Sequence, residues 1–507
     1  VASQLFRIKS IDKLLADAEH PEKRLKKTLG WLSLTALGIG AIIGTGIFVL
    51  TGTAAAGEEV MYPSIFKAPL LDVLLHGSNA AGVAGRPGAG PAIALSFFLV
   101  AVVCGFAGLC YAELASMIPI AGSAYTYTYA TLGELVAWII GWDLILEYAV
   151  SNMAVAVGFS AYIDSLLQTF GIRLPVALST PAYTPATGWA FHFNIVGFLV
   201  VMTLTVLLVI GIRESAVANS IMVAVKLVAI FLFIVFASKY IQPTNWRPFM
   251  PNGWQGVLTG GAIVFFSYIG FDSVSTAAEE CKNPRRDLPL GILFSLFICA
   301  ALYVGVAVVL TGIQHFSIFK GDAAPVATAL HNIGLDKLQR WVTIGALMGM
   351  ISSLLVYQLG QARVWFAMSR DGLLPPAFSS VHRRFRTPHV ATWVAGFVVG
   401  IPAGIFDIGT LADLSNIGTL FAFVLVSLAV LVLRRTQPDR PRGFRVPFVP
   451  VLPIVSVLTC ILLMASLTVE NWIRFFVWLA IGMVIYWTYS RHRSTLAKEA
   501  GVAGARP

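Results

Sequence analysis

Long apolar runs separated by short polar connections fill the chain from residue 31 to residue 490. Each run approaches or exceeds the ~20 residues that a helix needs to cross a bilayer. None alternates in the ten-residue rhythm of a membrane barrel. Hydropathy predicts twelve spans near 31–50, 90–114, 133–166, 191–211, 216–238, 255–278, 288–312, 340–368, 389–407, 412–433, 450–468 and 471–490. The expected class is an all-α integral membrane protein.

Two of these spans are interrupted. The first carries Gly38-Ile-Gly-Ala-Ile-Ile-Gly-Thr-Gly-Ile-Phe48, and the sixth carries Phe265-Phe-Ser-Tyr-Ile-Gly-Phe-Asp-Ser-Val-Ser275. Glycine weakens a helix by roughly 1 kcal/mol relative to alanine. Inside a bilayer a loosened backbone persists only where protein or water satisfies its polar groups. Two interrupted spans at matching positions are the pattern by which transporters built from inverted repeats mark a central site. An odd number of helices per unit reverses the second unit in the membrane. Residues 31–240 (spans 1–5) and 241–435 (spans 6–10) are therefore expected to be inverted repeats, an inference from spacing alone. Spans 11 and 12 (450–490) stand outside the repeat, between an N-terminal segment (1–30) and a tail (491–507).

Composition narrows the class. The chain is 57% hydrophobic and 12% charged, against about 25% charged in soluble domains. Of its 35 Lys and Arg, 25 fall on the side holding both ends and nine on the other, leaving Lys226 inside a span. The positive-inside rule then puts both termini in the cytoplasm of a multi-pass protein in the cytoplasmic membrane. The net charge of +10 is accounted for by orientation and contact with anionic lipid, not nucleic acid. Residues 1–30 are basic and polar without an apolar core, so no cleavable leader is expected and the first span serves as targeting signal. Cys104, Cys110, Cys281, Cys299 and Cys460 form no CxxC pair and are expected to be free packing residues. The eight histidines show no HExxH spacing, no GxSxG is present and no paired intramembrane aspartates are visible. An enzyme, a resident metal and a cofactor are not expected.

Longer motifs add a resemblance. Gly40-Ala-Ile-Ile-Gly-Thr-Gly-Ile-Phe-Val-Leu-Thr-Gly52 resembles the first helix of the amino acid–polyamine–organocation superfamily, and Tyr111-Ala-Glu-Leu-Ala-Ser-Met-Ile-Pro-Ile-Ala-Gly-Ser-Ala-Tyr-Thr-Tyr127 its second-to-third helix connection. Gly141-Trp-Asp-Leu-Ile-Leu-Glu-Tyr148, the 268–280 segment and Ala367-Met-Ser-Arg-Asp-Gly-Leu-Leu-Pro375 are similar to the cationic amino acid transporter family within it, bacterial members included. The resemblance covers about residues 25–490. It implies a LeuT-like fold of five-plus-five inverted helices with two more, discontinuous helices 1 and 6, and transport of amino acids by alternating access.

The first break, Ile42, Ile43, Gly44, Thr45 and Gly46, is expected to offer helix N-terminal N–H groups to a substrate α-carboxylate. The alternative is a small-residue packing face through Gly40 and Gly44. A dinucleotide fingerprint is excluded, because the glycine spacing is one residue too long and no strand precedes it. The second break is expected to offer carbonyls around Phe266, Ser267 and Ile269 to the α-ammonium. By resemblance the Phe266 ring is a gate; the alternative for it is lipid-facing bulk. Asp272 is expected to cap broken-helix N–H groups in preference to touching substrate.

Lys226 lies about ten residues from the nearest cytoplasmic charge, ~15 Å deep at 1.5 Å per residue. By the resemblance, its ammonium takes the position of sodium in sodium-coupled relatives, held by carbonyls near Gly40–Ala41 and a hydroxyl of Ser352 or Ser353. Transport would then be sodium-independent, with Lys226 either carrying the coupled proton or acting as a fixed positive strut. Glu147, read as the only buried carboxylate near the pocket, suits a cationic side chain, with an internal hydrogen-bond role as the alternative. Tyr357, beside Gln358, would shrink the pocket. The substrate expectation is therefore an L-amino acid, small and neutral such as alanine and/or cationic such as arginine. Proton symport is the leading reading, exchange or uncoupled facilitation the alternative. Protons and membrane lipids are the expected partners, and a small membrane subunit is left open. Residues 57–89 form a longer external connection than the family pattern calls for. Their Ile65–Leu75 stretch is amphipathic, suited to the membrane surface or the substrate entrance, with a disordered spacer as the alternative.

Overall fold

The computed structural model describes residues 5–12, 15, 27, 29–58, 64–83, 86–120, 122–184, 188–210, 216–385, 387–496 and 498. Much of the N-terminal segment, Arg213, residues 59–63, 84 and 85 of the long connection and the end of the tail lie outside them. The chain is a helical membrane protein. Eight of its helices are long and apolar enough to cross a bilayer, among the described residues. A further unit of that kind is a bent pair, α1 (Trp31–Ile42) and α2 (Gly46–Ala56), meeting at 43°.

The other main helices are α3 (Ile93–Met117), α4 (Glu134–Gln168), α5 (Ile195–Ile210), α6 (Ala216–Ala237), α7 (Gly253–Val264), α8 (Pro284–Ile313), α9 (Asp336–Arg370), α10 (His389–Ile405), α11 (Ile408–Thr436), α12 (Val451–Ala465) and α13 (Val469–Ile485). α7 continues through 3₁₀ turns at Phe265–Tyr268 and Phe271–Glu280. In the most apolar windows, 94% of the α7 unit and 89% of α4 is buried inside the protein, against 22% for α13 and its extension. The core is thus built around α4 and the two interrupted helices, while α13 shows most of its apolar surface to its surroundings. All five cysteines are free and buried.

Both interruptions fall within the glycine-rich runs. α1 stops where Ile43 leaves the helical region (φ −80°, ψ 89°), and α2 opens with a π-helical turn, Gly46–Leu50, a distortion frequent at functional sites. In the other unit, Ile269 is extended (ψ 138°) and Gly270 adopts φ +116°. A Cβ at Gly270 would sit 3.0 Å from the Ala41 backbone carbon, so glycine is demanded there by conformation and by contact.

The long connection is folded where it is described, which removes the disordered-spacer alternative for 64–83. A helix, Leu70–His76, docks on the turn between α12 and α13: the Leu70 N–H donates to Leu467 O (2.9 Å) and the Val469 N–H to Ala68 O (3.1 Å). Lys67 pairs with Glu470, and Gln255 donates to Asp72 at 2.9 Å. Leu74 and Leu75 project outward, 71% and 68% exposed, the apolar face expected from sequence.

Arg86 closes this connection. Its guanidinium donates to Glu58 through Nε (2.9 Å) and Nη2 (2.6 Å) and to Asp413 of α11 through Nη1 (2.6 Å). Asn471 of α13 donates to the second Asp413 oxygen at 3.1 Å. Burial pushes the Glu58 carboxyl up, against the pull of Arg86. Removing one partner of a buried pair strands the others, at about 3 kcal/mol or more. Arg86→Met is expected to lower the thermal midpoint of the detergent-solubilised protein clearly, and adding Glu58→Gln with Asp413→Asn should recover part of the loss. An unchanged midpoint in the single variant would contradict the linkage.

Candidate substrate-binding site

The two breaks touch. A Cβ at Gly46 would lie 2.4 Å from Ser267 Oγ and 2.6 Å from Ser267 Cα, so the start of α2 and the end of the Phe265–Tyr268 turn are in direct backbone contact. Thr45, wholly buried, donates weakly to Val155 O of α4 (3.4 Å), and Gly44 abuts Ser353 of α9. The opening turn of α2 directs its N–H end at this junction, where the helix dipole favours negative charge.

Lys226 on α6 reaches the carbonyl end of α1. Its Nζ donates to Gly40 O (2.8 Å) and Ile43 O (2.9 Å), and the residue is fully buried. Ser353 Oγ shares those acceptors, at 3.0 Å from Gly40 O and 3.3 Å from Ala41 O and Ile43 O. Carbonyls at a helix C-terminus carry partial negative charge, so a cation here satisfies the last turn of α1 as a C-cap. Two details differ from expectation. The second carbonyl is that of Ile43, not Ala41, because the backbone turns out of the helix there. Ser352 instead donates to Asn219 Oδ1 (3.0 Å), beside Gly40. Gly349 makes room for the lysine stem, whose Cδ would stand 3.1 Å from a Cβ.

At the second break, two of the three expected carbonyls are already engaged. Phe266 O accepts the Ile269 N–H (3.3 Å) to close the 3₁₀ turn, and Ile269 O accepts the Tyr357 hydroxyl (2.9 Å). The third residue, Ser267, is buried, and its hydroxyl has no partner among the described residues. Phe266 is 3% exposed, which removes the lipid-facing alternative. Tyr357 thus ties α9 to the second break through its hydroxyl. Ile42 O likewise accepts Tyr303 OH of α8 (3.0 Å). Tyr357→Phe is expected to weaken substrate affinity by roughly 2–10-fold, the value of one neutral hydrogen bond of about 0.5–1.5 kcal/mol. KM in proteoliposomes reads this, and an unchanged KM would release Tyr357 from the role.

Contrary to the expectation from sequence, Glu147 is not the only buried carboxylate here; Asp143 and Asp272 are equally buried. Glu147 has Asp272, Asp143 and the Thr419 hydroxyl as neighbours. Asp272 lies in the first turn after Gly270 but makes no capping hydrogen bond there; one oxygen accepts Tyr148 OH at 3.4 Å, and the other has no partner among the described residues. Sequence spacing could not have joined these groups, because Asp272 sits more than 120 residues from Tyr148. Tyr303, Asn219 and Gly349 carried no signal of their own. A cavity of about 680 Å³ lies elsewhere, lined by Lys27, Met117, Glu279 and Arg285 among others and by none of the break residues. No group of three metal-ligating side chains occurs among the described residues.

Two apposed helix breaks inside a bundle of apolar helices define a multi-pass membrane transporter. Residues 29–488 match the amino acid permease family model, and the chain belongs to that family. It is 49% identical to the branched-chain amino acid permease BcaP of Bacillus subtilis (strain 168) over 492 residues, 97% of this chain and 99% of that protein. It is 43% identical to the methylthioribose transporter of the same organism, across 98% of this chain and 100% of the relative. The cationic amino acid transporter 4, vacuolar, of Arabidopsis thaliana is 35% identical over 86% of this chain and 68% of its own length.

Proposed function

We propose that this protein is a secondary active transporter that carries neutral L-α-amino acids across the cytoplasmic membrane, sodium-independently and coupled to protons. On this reading α1–α2, the α7 unit and the remaining main helices make twelve spans, the first ten arranged as five-plus-five inverted repeats with both ends in the cytoplasm. The observation that carries it is the Lys226 ammonium on Gly40 O and Ile43 O. A built-in cation at the carbonyl end of α1 leaves no electrostatic need for a sodium ion there.

The site reads the substrate's two charges. The opening turn of α2 receives the carboxylate, and the backbone around Ser267 receives the ammonium. Alternating access then opens this junction to one side at a time, with α1 and α2 hinged at Ile43–Gly46. Glu147 Oε2 has no hydrogen-bond partner among the described residues, so the preference for a neutral side chain rests on the branched-chain name of one relative. The branched-chain name of one relative adds leucine, isoleucine and valine to alanine as candidates. The methylthioribose name of another marks a substrate without an α-amino acid backbone, against which the site should discriminate.

Purified protein in liposomes, given labelled leucine, alanine and arginine with and without an inward proton gradient, tests this. Expected is gradient-driven accumulation of leucine or alanine, unaffected by sodium and uncompeted by methylthioribose. Movement only against internal amino acid would favour exchange. Uptake of methylthioribose alone would overturn the substrate class.

A further inference from the structure

Glu147 lies on a seam that the substrate site does not explain. Along this face of α4, the side chains meet α11 one turn at a time. Ser151 Oγ and Ser415 Oγ lie 2.6 Å apart, Thr419 neighbours Glu147, and Gly418 faces Asp143. Thr419 Oγ1 donates in turn to Ser415 O (3.1 Å). At the outer end, two residues before Ser415, stands Asp413 beside Arg86.

Asp143 is the anomaly in this row. Its side chain is 0% exposed, and neither carboxyl oxygen has a hydrogen-bond partner among the described residues. A Cβ at residue 418 would come within 2.7 Å of Asp143 Oδ1, so the glycine hollows α11 for this carboxyl. Among the described residues no cation pairs with it from any helix, and its titratable neighbour is Glu147, one turn away on the same helix. An unpaired carboxylate cannot be held in such a site, since an isolated buried charge without partners is neutralised instead. A protein that needed only packing here would have a leucine or a valine.

We propose that Asp143 is a proton-holding station of the transport cycle, on the cytoplasmic side of Glu147 in the α4–α11 seam. The inference rests on the proton-coupled reading above. Asp143 rests protonated, and only after it has released that proton does the proton on the Glu147 carboxyl refill it: the O–H bond at Glu147 breaks, one at Asp143 forms, and the negative charge moves outward by one helical turn. When the seam opens to the cytoplasm, Asp143 gives the proton to water. Glu147 is then reprotonated from the outer side of the seam. Asp143 touches no substrate, so its role is to hold and pass the proton.

The test is Asp143→Asn, with Asp143→Glu as the conservative variant, in proteoliposomes at fixed protein density. Substrate counterflow, which needs no net proton movement, should stay within about twofold of the wild type, while gradient-driven accumulation falls by about tenfold or more. The pH dependence of uptake should flatten in the asparagine variant and return with glutamate. Accumulation and pH profile like the wild type in Asp143→Asn would overturn the proposal. A wild type that shows no response to a proton gradient would be a failure of the coupling reading instead. Infrared difference spectra on alanine or leucine binding judge Asp143 in either event. The carbonyl band of a protonated carboxyl should be present in the wild type and lost in Asp143→Asn, and an unchanged band would sink the assignment. Gly418→Ala, which crowds the same carboxyl without removing it, should shift that band.

Discussion

Lys226→Met is expected to abolish uptake while leaving the protein folded in the membrane. The substitution keeps the stem that packs against Gly349 and deletes only the charge. Two charge-assisted hydrogen bonds, to Gly40 O and Ile43 O, go with it, each worth about 1.5–3 kcal/mol. Ser353 still touches both carbonyls, so α1 is not left without a cap, but its partial negative charge is no longer answered by a cation. The hinge between α1 and α2 then loses its fixed point, and transport should fall by about a hundredfold or more. The measurement is labelled amino acid uptake at matched protein level, across pH. If Lys226 carries the coupled proton, residual uptake loses its pH dependence. If it is a strut, pH dependence survives and Lys226→Arg recovers part of the rate. Wild-type uptake in the methionine variant would contradict both roles.

Gly46→Ala is the second large effect. The added methyl would stand 2.4 Å from Ser267 Oγ and 2.6 Å from Ser267 Cα. A hydroxyl can rotate away, but a Cα belongs to the backbone, so the two breaks must separate. Binding of a ligand that spans both should weaken by more than about tenfold, because a positioning error of around 1 Å is enough to undo a convergent site. Thermal stabilisation by leucine or alanine reads this directly. Deleting the serine side chain as well (Ser267→Gly) should not rescue it, since the closest fixed atom is the backbone carbon. Full rescue would mean that the hydroxyl, not the backbone approach, sets the spacing.

These effects follow from features that were unequally legible in the sequence. The apolar runs announced their helices because bilayer thickness dictates a length and hydrocarbon excludes unpaired backbone. His389–Ile405 and Val451–Ala465 are shorter than the runs that contain them, since capping and loop geometry trim what hydropathy cannot resolve. Lys226 was legible because a lone charge in an apolar run must have a partner. The choice of Ser353 over Ser352 was not, because two neighbouring serines differ only in which way the helix turns them. Tyr357 was assigned to the substrate side chain, yet its hydroxyl reaches Ile269 O, a pairing across 88 residues that no local pattern encodes. Asp143 was read as part of a motif without its environment. That both its oxygens lack partners emerges only once Gly418 is packed against it.

The sequence by itself determined that this is a helical membrane protein of the amino acid permease family, with two helices that glycine interrupts. The helical membrane class follows from composition, hydropathy and local backbone freedom, and the family from the resemblance of several motifs and the family match, all read from residues near one another in the chain. Only the tertiary structure decided that the two interruptions meet at Gly46 and Ser267. It likewise decided which carbonyls remain available and which unpaired carboxyls share one seam. Those depend on the approach of helices far apart in sequence, where a few tenths of an ångström separate a contact from a clash.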